Sequence, residues 1–284
     1  MQRGALLMML SALAFSAMTV LVKLVGERLP SQEIVAARAI VSLALSWSLL
    51  RRAGVSPWGE DRLWLWIRGG LGFAGLSCVY AAVTHLPLAE ATVLQYLYPP
   101  ITAIFAGVFL GETITRRILL ATAISLVGVI LVARPALFFG EDVSSLDPFW
   151  VIVAVAGATF SAAAYVVVRR LSRREDPLVI VFYFPLVTLP AAIPTMLPNF
   201  LWPVGSEWFL LLGIGLATQV GQVSLTRGLA QLPAAHGTAL SYLQVVFAVA
   251  WGALFFGEQP DRWTLIGGLM VISSAIGLAR QRAG

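Results

Sequence analysis

Between His85 and Glu112 the chain reads HLPLAEATVLQYLYPPITAIFAGVFLGE, an apolar helix interrupted by polar groups that either bind a ligand or bond to neighbouring helices. Thr92, Gln95 and Thr102 recur at helical spacing, with Tyr96 and Tyr98 beside them. Lipid cannot satisfy hydroxyl or amide groups, so this stripe must face protein or water. Pro99 and Pro100 lack the amide protons that would close onto the carbonyls of Gln95 and Tyr96, so two backbone acceptors are freed beside the polar side chains. One patch at mid-helix thus collects a kink, two open carbonyls, an amide and two phenols, which could hold a small polar molecule or bond to neighbouring helices.

The stretch occurs twice. Residues 231–258, QLPAAHGTALSYLQVVFAVAWGALFFGE, align without a gap at a constant offset of 146 positions, and the register holds on to Arg134 and Arg280. Leu86-Pro87 falls on Leu232-Pro233, Tyr96-Leu97 on Tyr242-Leu243, and Gly111-Glu112 on Gly257-Glu258. Thr92, Gln95 and Tyr98 become Thr238, Ser241 and Gln244, so the polar stripe is repeated with its backbone. Val245 stands where the second copy would repeat Pro99, so a kink there needs another cause.

Further along, Gln219, Gln222 and Thr226 follow the spacing i, i+3, i+7 and share one helix face. They either line a cavity or bond neighbouring helices. Lys23, Glu33 and Arg38 form either a structural ion cluster or a gate that clamps a substrate carboxylate. Arg68, one turn into its helix, is expected to reach the headgroups. Glu112 and Glu258 follow glycines and precede Arg116 and Arg262 by four residues, which predicts helix-end roles with an i,i+4 pair as supplement. His85 and His236 read as interfacial residues, although either could titrate. With Glu33 and Glu90, His236 completes the short set of groups that could carry a coupled proton.

These residues are positioned by a chain of 284 residues that is 59% hydrophobic and only 12% charged, with a mean hydropathy of +0.87. Apolar stretches of about 18 residues or more recur throughout, the mark of an all-α integral membrane protein. Ten spans are predicted: 4–25, 31–50, 63–84, 88–110, 116–134, 148–169, 178–197, 207–229, 234–256 and 262–280. The net charge of +5 sits between spans, where membrane orientation explains it without nucleic acid. Arg3, Arg51, Arg52, Arg62, Arg116, Arg117, Arg169, Arg170, Arg173, Arg174, Arg227, Arg280 and Arg282 fall on one side, and Arg28, Arg134 and Arg262 on the other. This places both termini in the cytoplasm and the acidic loop of Glu141, Asp142 and Asp147 outside, with Trp202 and Trp208 in an interfacial belt. Because the offset covers five spans, an odd number, the second copy enters the membrane upside down. Residues 1–134 and 148–284 are expected as two inverted five-helix repeats around a central cavity, joined by an outer loop at 135–147. That is the build of many secondary transporters, whose two states arise when the repeats exchange shapes.

The pattern LPLAEATVLQYLYPPITAIFAGVFLGE, its second copy ending in FFGEQPD, and Arg38 in the second span resemble the drug/metabolite transporter superfamily, EamA type. The resemblance covers the whole chain and implies ten helices, cytoplasmic termini and a cavity lined by the first, third, fourth, sixth, eighth and ninth spans. The run Tyr96 to Pro99 is similar to that of YddG-like exporters of aromatic and other amino acids.

Enzyme chemistry finds no footing. Lys23 is the sole lysine and follows Val22, so a G-x-x-x-x-G-K phosphate loop cannot exist. Two distant histidines make no His-x-x-x-His metal site, and the single cysteine, Cys78, makes no disulfide within the chain. The expected function is secondary transport of a small organic metabolite across a cell membrane, the inner membrane in a prokaryote. No cofactor is needed, and the partners are the substrate and the bilayer. Its site would comprise Gln95, Tyr96, Tyr98, Pro99, Gln219, Gln222, Tyr242 and Gln244, with Tyr80, Tyr165 and Trp251 as further aromatic walls. Few fixed charges there favour a zwitterion or a neutral amphiphile. Amino acid export follows from the resemblance; uptake of a vitamin or nucleoside-like metabolite, a non-saturating channel and a sensory membrane protein are the alternatives.

Overall fold

The computed structural model describes residues 2–26, 28–86, 88–133, 147–257 and 259–279, with backbone alone at 84 and 88–90. The expected loop at 135–147 therefore lies outside the described residues except for Asp147, as do Arg134, Glu258, Arg280 and Arg282 and the side chain of Glu90. Ten segments are long and apolar enough to cross a membrane: Gln2–Val25, Ser31–Ala53, Arg62–Val83, Ala91–Leu110, Arg116–Ala133, Pro148–Leu171, Pro177–Asn199, Glu207–Gln231, Ala234–Phe256 and Arg262–Ala279. They coincide with the ten predicted spans to within a few residues.

Their ends follow from local chemistry. Gly111 and Gly257, at matching places in the two copies, terminate the fourth and ninth spans with φ of 64° and 65°, a left-handed conformation that costs a residue without Cβ nothing. The sixth and seventh spans each begin Asp-Pro, where the aspartate caps an amide two residues on and the proline supplies a preset φ. Asp147 accepts from the amide of Phe149 at 2.9 Å and Asp176 from that of Leu178 at 2.7 Å.

The first span packs along the eighth and the third along the sixth. The second lies against the seventh and the fifth against the tenth, while the third also meets the seventh and the second the eighth. Exchanging the first five spans for the last five leaves this list unchanged, so the duplication seen in sequence is also one of packing. Small residues permit the close approaches. A Cβ on Gly128 would come within 2.7 Å of the Gly267 carbonyl, and one on Gly267 within 2.4 Å of the Gly128 carbonyl, where the fifth and tenth spans cross. The outer surface is duplicated too. Val108 and Phe109 face outward, as do Leu254 and Phe255 at the offset of 146. Trp202 and Trp208 are exposed and meet edge to face with ring centres 5.8 Å apart.

Candidate substrate site

The fourth and ninth spans are each broken near the middle. The fourth consists of Leu88–Gln95 and Tyr98–Leu110, and the ninth of Ala234–Leu240 and Leu243–Phe256. At the first break Leu97 turns its amide to the carbonyl of Leu94 at 3.2 Å, a tightened closure, and prolines follow at 99 and 100. The second break forms without proline. Ser241, Gln244 and Val245 donate to the carbonyls of Thr238, Ser241 and Tyr242 at 3.1, 3.0 and 3.0 Å, all three-residue closures. The residue at this break reaches across the bundle. Tyr242 is fully buried, its ring stacked on Tyr96 at 5.6 Å and 26°, and its phenol donates to the Tyr96 carbonyl at 3.0 Å. One of the two acceptors freed by the prolines is thereby satisfied by the matching residue of the other copy.

From this contact a column of phenols runs through the bundle. Tyr96 lies 6.1 Å from Tyr98, which lies 5.2 Å from Tyr165 of the sixth span, and the Tyr98 phenol reaches Ser241. Pro99 is buried beneath the column, and Gln95 and Gln244 are half-buried on the half-helices that carry it. Thr102 and Thr238 turn their hydroxyls onto the carbonyls of Tyr98 and Ala234 at 2.7 and 2.9 Å, so both protons are committed within their own helices.

At its far end the column meets Arg68. The expectation that this side chain reaches the headgroups is overturned: Arg68 is 3% exposed, near enough to Tyr165 to interact electrostatically, and donates to Gln222 Oε1 at 3.4 Å. Its guanidinium carbon sits 5.1 Å from the centre of the Phe184 ring. Gly72 makes this possible. A Cβ there would stand 2.4 Å from Arg68 Nη1 and 2.8 Å from the Phe184 ring, so the missing side chain is the space into which the guanidinium turns. A long cation near a helix end can point either way, and the signal that could have decided it was the glycine one turn on.

Gln219 and Gln222 share a helix face as expected but serve different neighbours. Gln219 donates from Nε2 to Ser46 Oγ of the second span at 2.9 Å, leaving its Oε1 without a partner. Thr226 is buried and its hydroxyl likewise has none. On the second span Arg38 is 6% exposed and borders a narrow crevice with Ala39, Ser42, Phe184, Pro185, Thr188 and Thr218. Its guanidinium lies 5.8 Å from the Phe184 ring centre and 3.8 Å from Met18 Sδ.

Several expected residues lie apart from this column. Tyr80 packs with Leu76, Val35, Ala36, Ala192 and Met196 among the second, third and seventh spans. Trp251 donates its indole N–H to Ser16 Oγ at 3.0 Å and joins the ninth span to the first. The cluster of Lys23, Glu33 and Arg38 does not form. Glu33 is buried and accepts from the Leu201 amide at 3.0 Å, Arg38 turns to sulfur and ring, and Lys23 lies 4.0 Å over the Phe256 ring. A backbone amide reached Glu33 first, and long-range partners of that kind leave no trace in spacing. Glu112 keeps a structural role with other partners than Arg116. It pairs with Arg169 at 2.8 Å and caps the ninth span by accepting from the Ala234 amide at 2.7 Å. His85 stacks on Trp150 at 3.6 Å, whereas His236, expected at the interface, is 1% exposed inside the bundle.

Ten apolar segments thus enclose a column of phenols that ends on an amide and a guanidinium. A model of the EamA-like transporter family matches the chain twice, over residues 2–134 and 148–280. The chain belongs to that family, within the drug/metabolite transporter superfamily. It is 35% identical to a protein of Pseudomonas aeruginosa named Pseudopaline exporter CntI, over 100% of this chain and 98% of that one. It is 29% identical to human Solute carrier family 35 member G1, over 97% and 78% of the two chains. It is 25% identical to the S-adenosylmethionine uptake transporter of Rickettsia felis, over 94% and 89%. A solved crystal structure shares the fold with a TM-score of 0.84 at 20% identity, covering 98% of this chain and 96% of its own. The protein is accordingly a multi-pass membrane protein that carries out secondary transport of a small organic metabolite.

Proposed function

We propose that the protein exports amino acids or close derivatives by alternating access, acting as a monomer with residues 1–134 and 148–284 as inverted domains and both termini in the cytoplasm. The observation that carries the reading is the stacked pair Tyr96 and Tyr242, at equivalent positions of the two copies and at the break of both interrupted spans. Such a contact, with backbone already freed from helical bonding, is where two repeats can part to admit a ligand on either side. The phenol column suits an apolar or aromatic side chain, and Gln222, Gln219 and Arg68 suit the polar end of an amino acid. The excess of arginine on one side supports the orientation. The Pseudomonas relative is named an exporter, in keeping with this direction.

The test is a panel of labelled amino acids and vitamins offered to the purified protein in liposomes, with and without a pH gradient. Saturable movement of amino acids, weakened by Gln95→Ala, is the expected result. Uptake of a nucleoside-like metabolite is the second reading, favoured by the name of the Rickettsia relative. It would replace the first if adenosyl compounds moved and amino acids did not.

A further inference from the structure

Arg38 and Arg68 are both buried, on different spans, with guanidinium carbons 5.8 and 5.1 Å from the centre of one ring, Phe184. Neither meets a carboxylate of the described residues. Burying a full charge among apolar helices is costly unless an opposite charge or a complete set of acceptors accompanies it. Arg68 makes one long hydrogen bond, to Gln222, and its Nε and Nη1 have no partner. Arg38 has the Met18 sulfur and the edge of the Phe184 site.

No buried carboxylate among the described residues bonds to either arginine. Glu33 accepts from Leu201 through Oε2 and keeps a buried Oε1 without a partner, Glu175 accepts from the amides of Glu60 and Asp61, and Glu112, nearly buried, is held by Arg169 and Ala234. Around the two arginines, further hydroxyls lack partners: Ser42 and Thr188 in the crevice beside Arg38. Hydroxyls accept as well as donate, so what distinguishes the region is its two guanidiniums, neither bonded to a carboxylate of the described residues. Gly72, whose missing Cβ leaves room for Arg68 and Phe184, shows that the guanidinium is accommodated by design of the helix rather than squeezed in.

We propose that the substrate carries at least two carboxylates, and that Arg68 and Arg38 receive them around Phe184 while the phenol column takes the rest of the molecule. This deepens the carrier reading above and rests on it. It revises the expectation of a neutral or zwitterionic substrate, which counted few fixed charges because Arg68 was assigned to the surface. Each guanidinium is a planar fork matched to a carboxylate, and both lie close enough to one ring for a single small molecule bearing two carboxylates to reach them. Monocarboxylate amino acids would satisfy one arginine and leave the other unpaired.

The experiment compares glutamate, aspartate and N-carboxymethyl amino acids with leucine and phenylalanine, using the full chain in liposomes for counterflow and in detergent for thermal stabilisation. The dicarboxylates are expected to be preferred by about 10- to 100-fold, the loss that accompanies a missing hydrogen bond to a charged group. Arg68→Gln and Arg38→Gln should each remove that preference, and Gly72→Ala should weaken it by displacing the guanidinium. Arg68→Met should raise the melting temperature of the empty protein while abolishing dicarboxylate binding, because an unpaired buried charge is gone. Equal handling of acidic and neutral amino acids, or a fall in melting temperature on Arg68→Met, would overturn the proposal and leave the carrier reading intact. Stabilisation by chloride over methanesulfonate, lost in Arg68→Gln, together with indifference to dicarboxylates, would make this a halide site and overturn it as well. Binding of dicarboxylates with no flux of any amino acid would uphold the proposal and sink the transport reading instead.

Discussion

The fourth and ninth spans perform the same manoeuvre by different means. In the fourth, Pro99 and Pro100 withhold two amides and the helix must break. In the ninth, Val245 occupies the place of Pro99 and the amide is present, yet the break falls within one residue of the corresponding place. It is held there by the burial of Tyr242 and its hydrogen bond to Tyr96. The backbone shape is therefore a property of the duplicated frame, and proline is only one way to secure it. The charged site differs in the opposite sense. At the offset of 146, Ser42 falls on Thr188, but Arg38 falls on Phe184, Arg68 on Ile214 and Gly72 on Thr218. Both arginines belong to the first copy, and the second supplies the ring that both approach. Symmetry maintains the frame and the chemistry is placed on it unequally.

That contrast can be broken or sharpened by substitution, read as thermal unfolding in detergent. The largest change is expected from a control, Val249→Pro, which puts proline into the unbroken half of the ninth span and should cost about 3 kcal/mol or more. Glu112→Ala should cost about 2 to 3 kcal/mol, since it leaves Arg169 nearly buried without its carboxylate and the Ala234 amide uncapped. A loss no larger than that of Arg116→Ala would show that the pairing seen here does not matter. Tyr242→Phe removes the proton that satisfies the Tyr96 carbonyl while keeping the stack, and about 1 to 2 kcal/mol should be lost. Val245→Pro converts the second break into the first. It forfeits one hydrogen bond, that to the Tyr242 carbonyl, so about 1 kcal/mol is expected. If it were as damaging as Val249→Pro, the two breaks would not be equivalent.

Much of the fold was legible in the chain because the bilayer restricts what can cross it. Length and hydropathy set ten spans, and the matching glycines 111 and 257 set two of their ends. The phenols at 96, 98 and 242 were legible as a group because polar atoms on apolar helices must meet something. Arg68 was misread because its side chain is long enough to reach either the headgroups or the core, and only the cleft at Gly72 decides between them. Glu33 and Glu112 bond to Leu201 and Ala234, more than a hundred residues away and through backbone, where residue type carries no information. The second break was equally invisible, since it depends on a stacked ring from the other copy.

The account depends on the two halves parting at the Tyr96 and Tyr242 contact to expose a site to one side at a time. Counterflow tests this most directly, with purified protein in liposomes loaded with unlabelled amino acid and labelled amino acid supplied outside. The account predicts saturable entry of label, transient accumulation above the outside level, and its slowing in Tyr242→Ala. Flux that rises linearly with concentration and is indifferent to the load inside would contradict it, because a pore open to both sides at once behaves in that way.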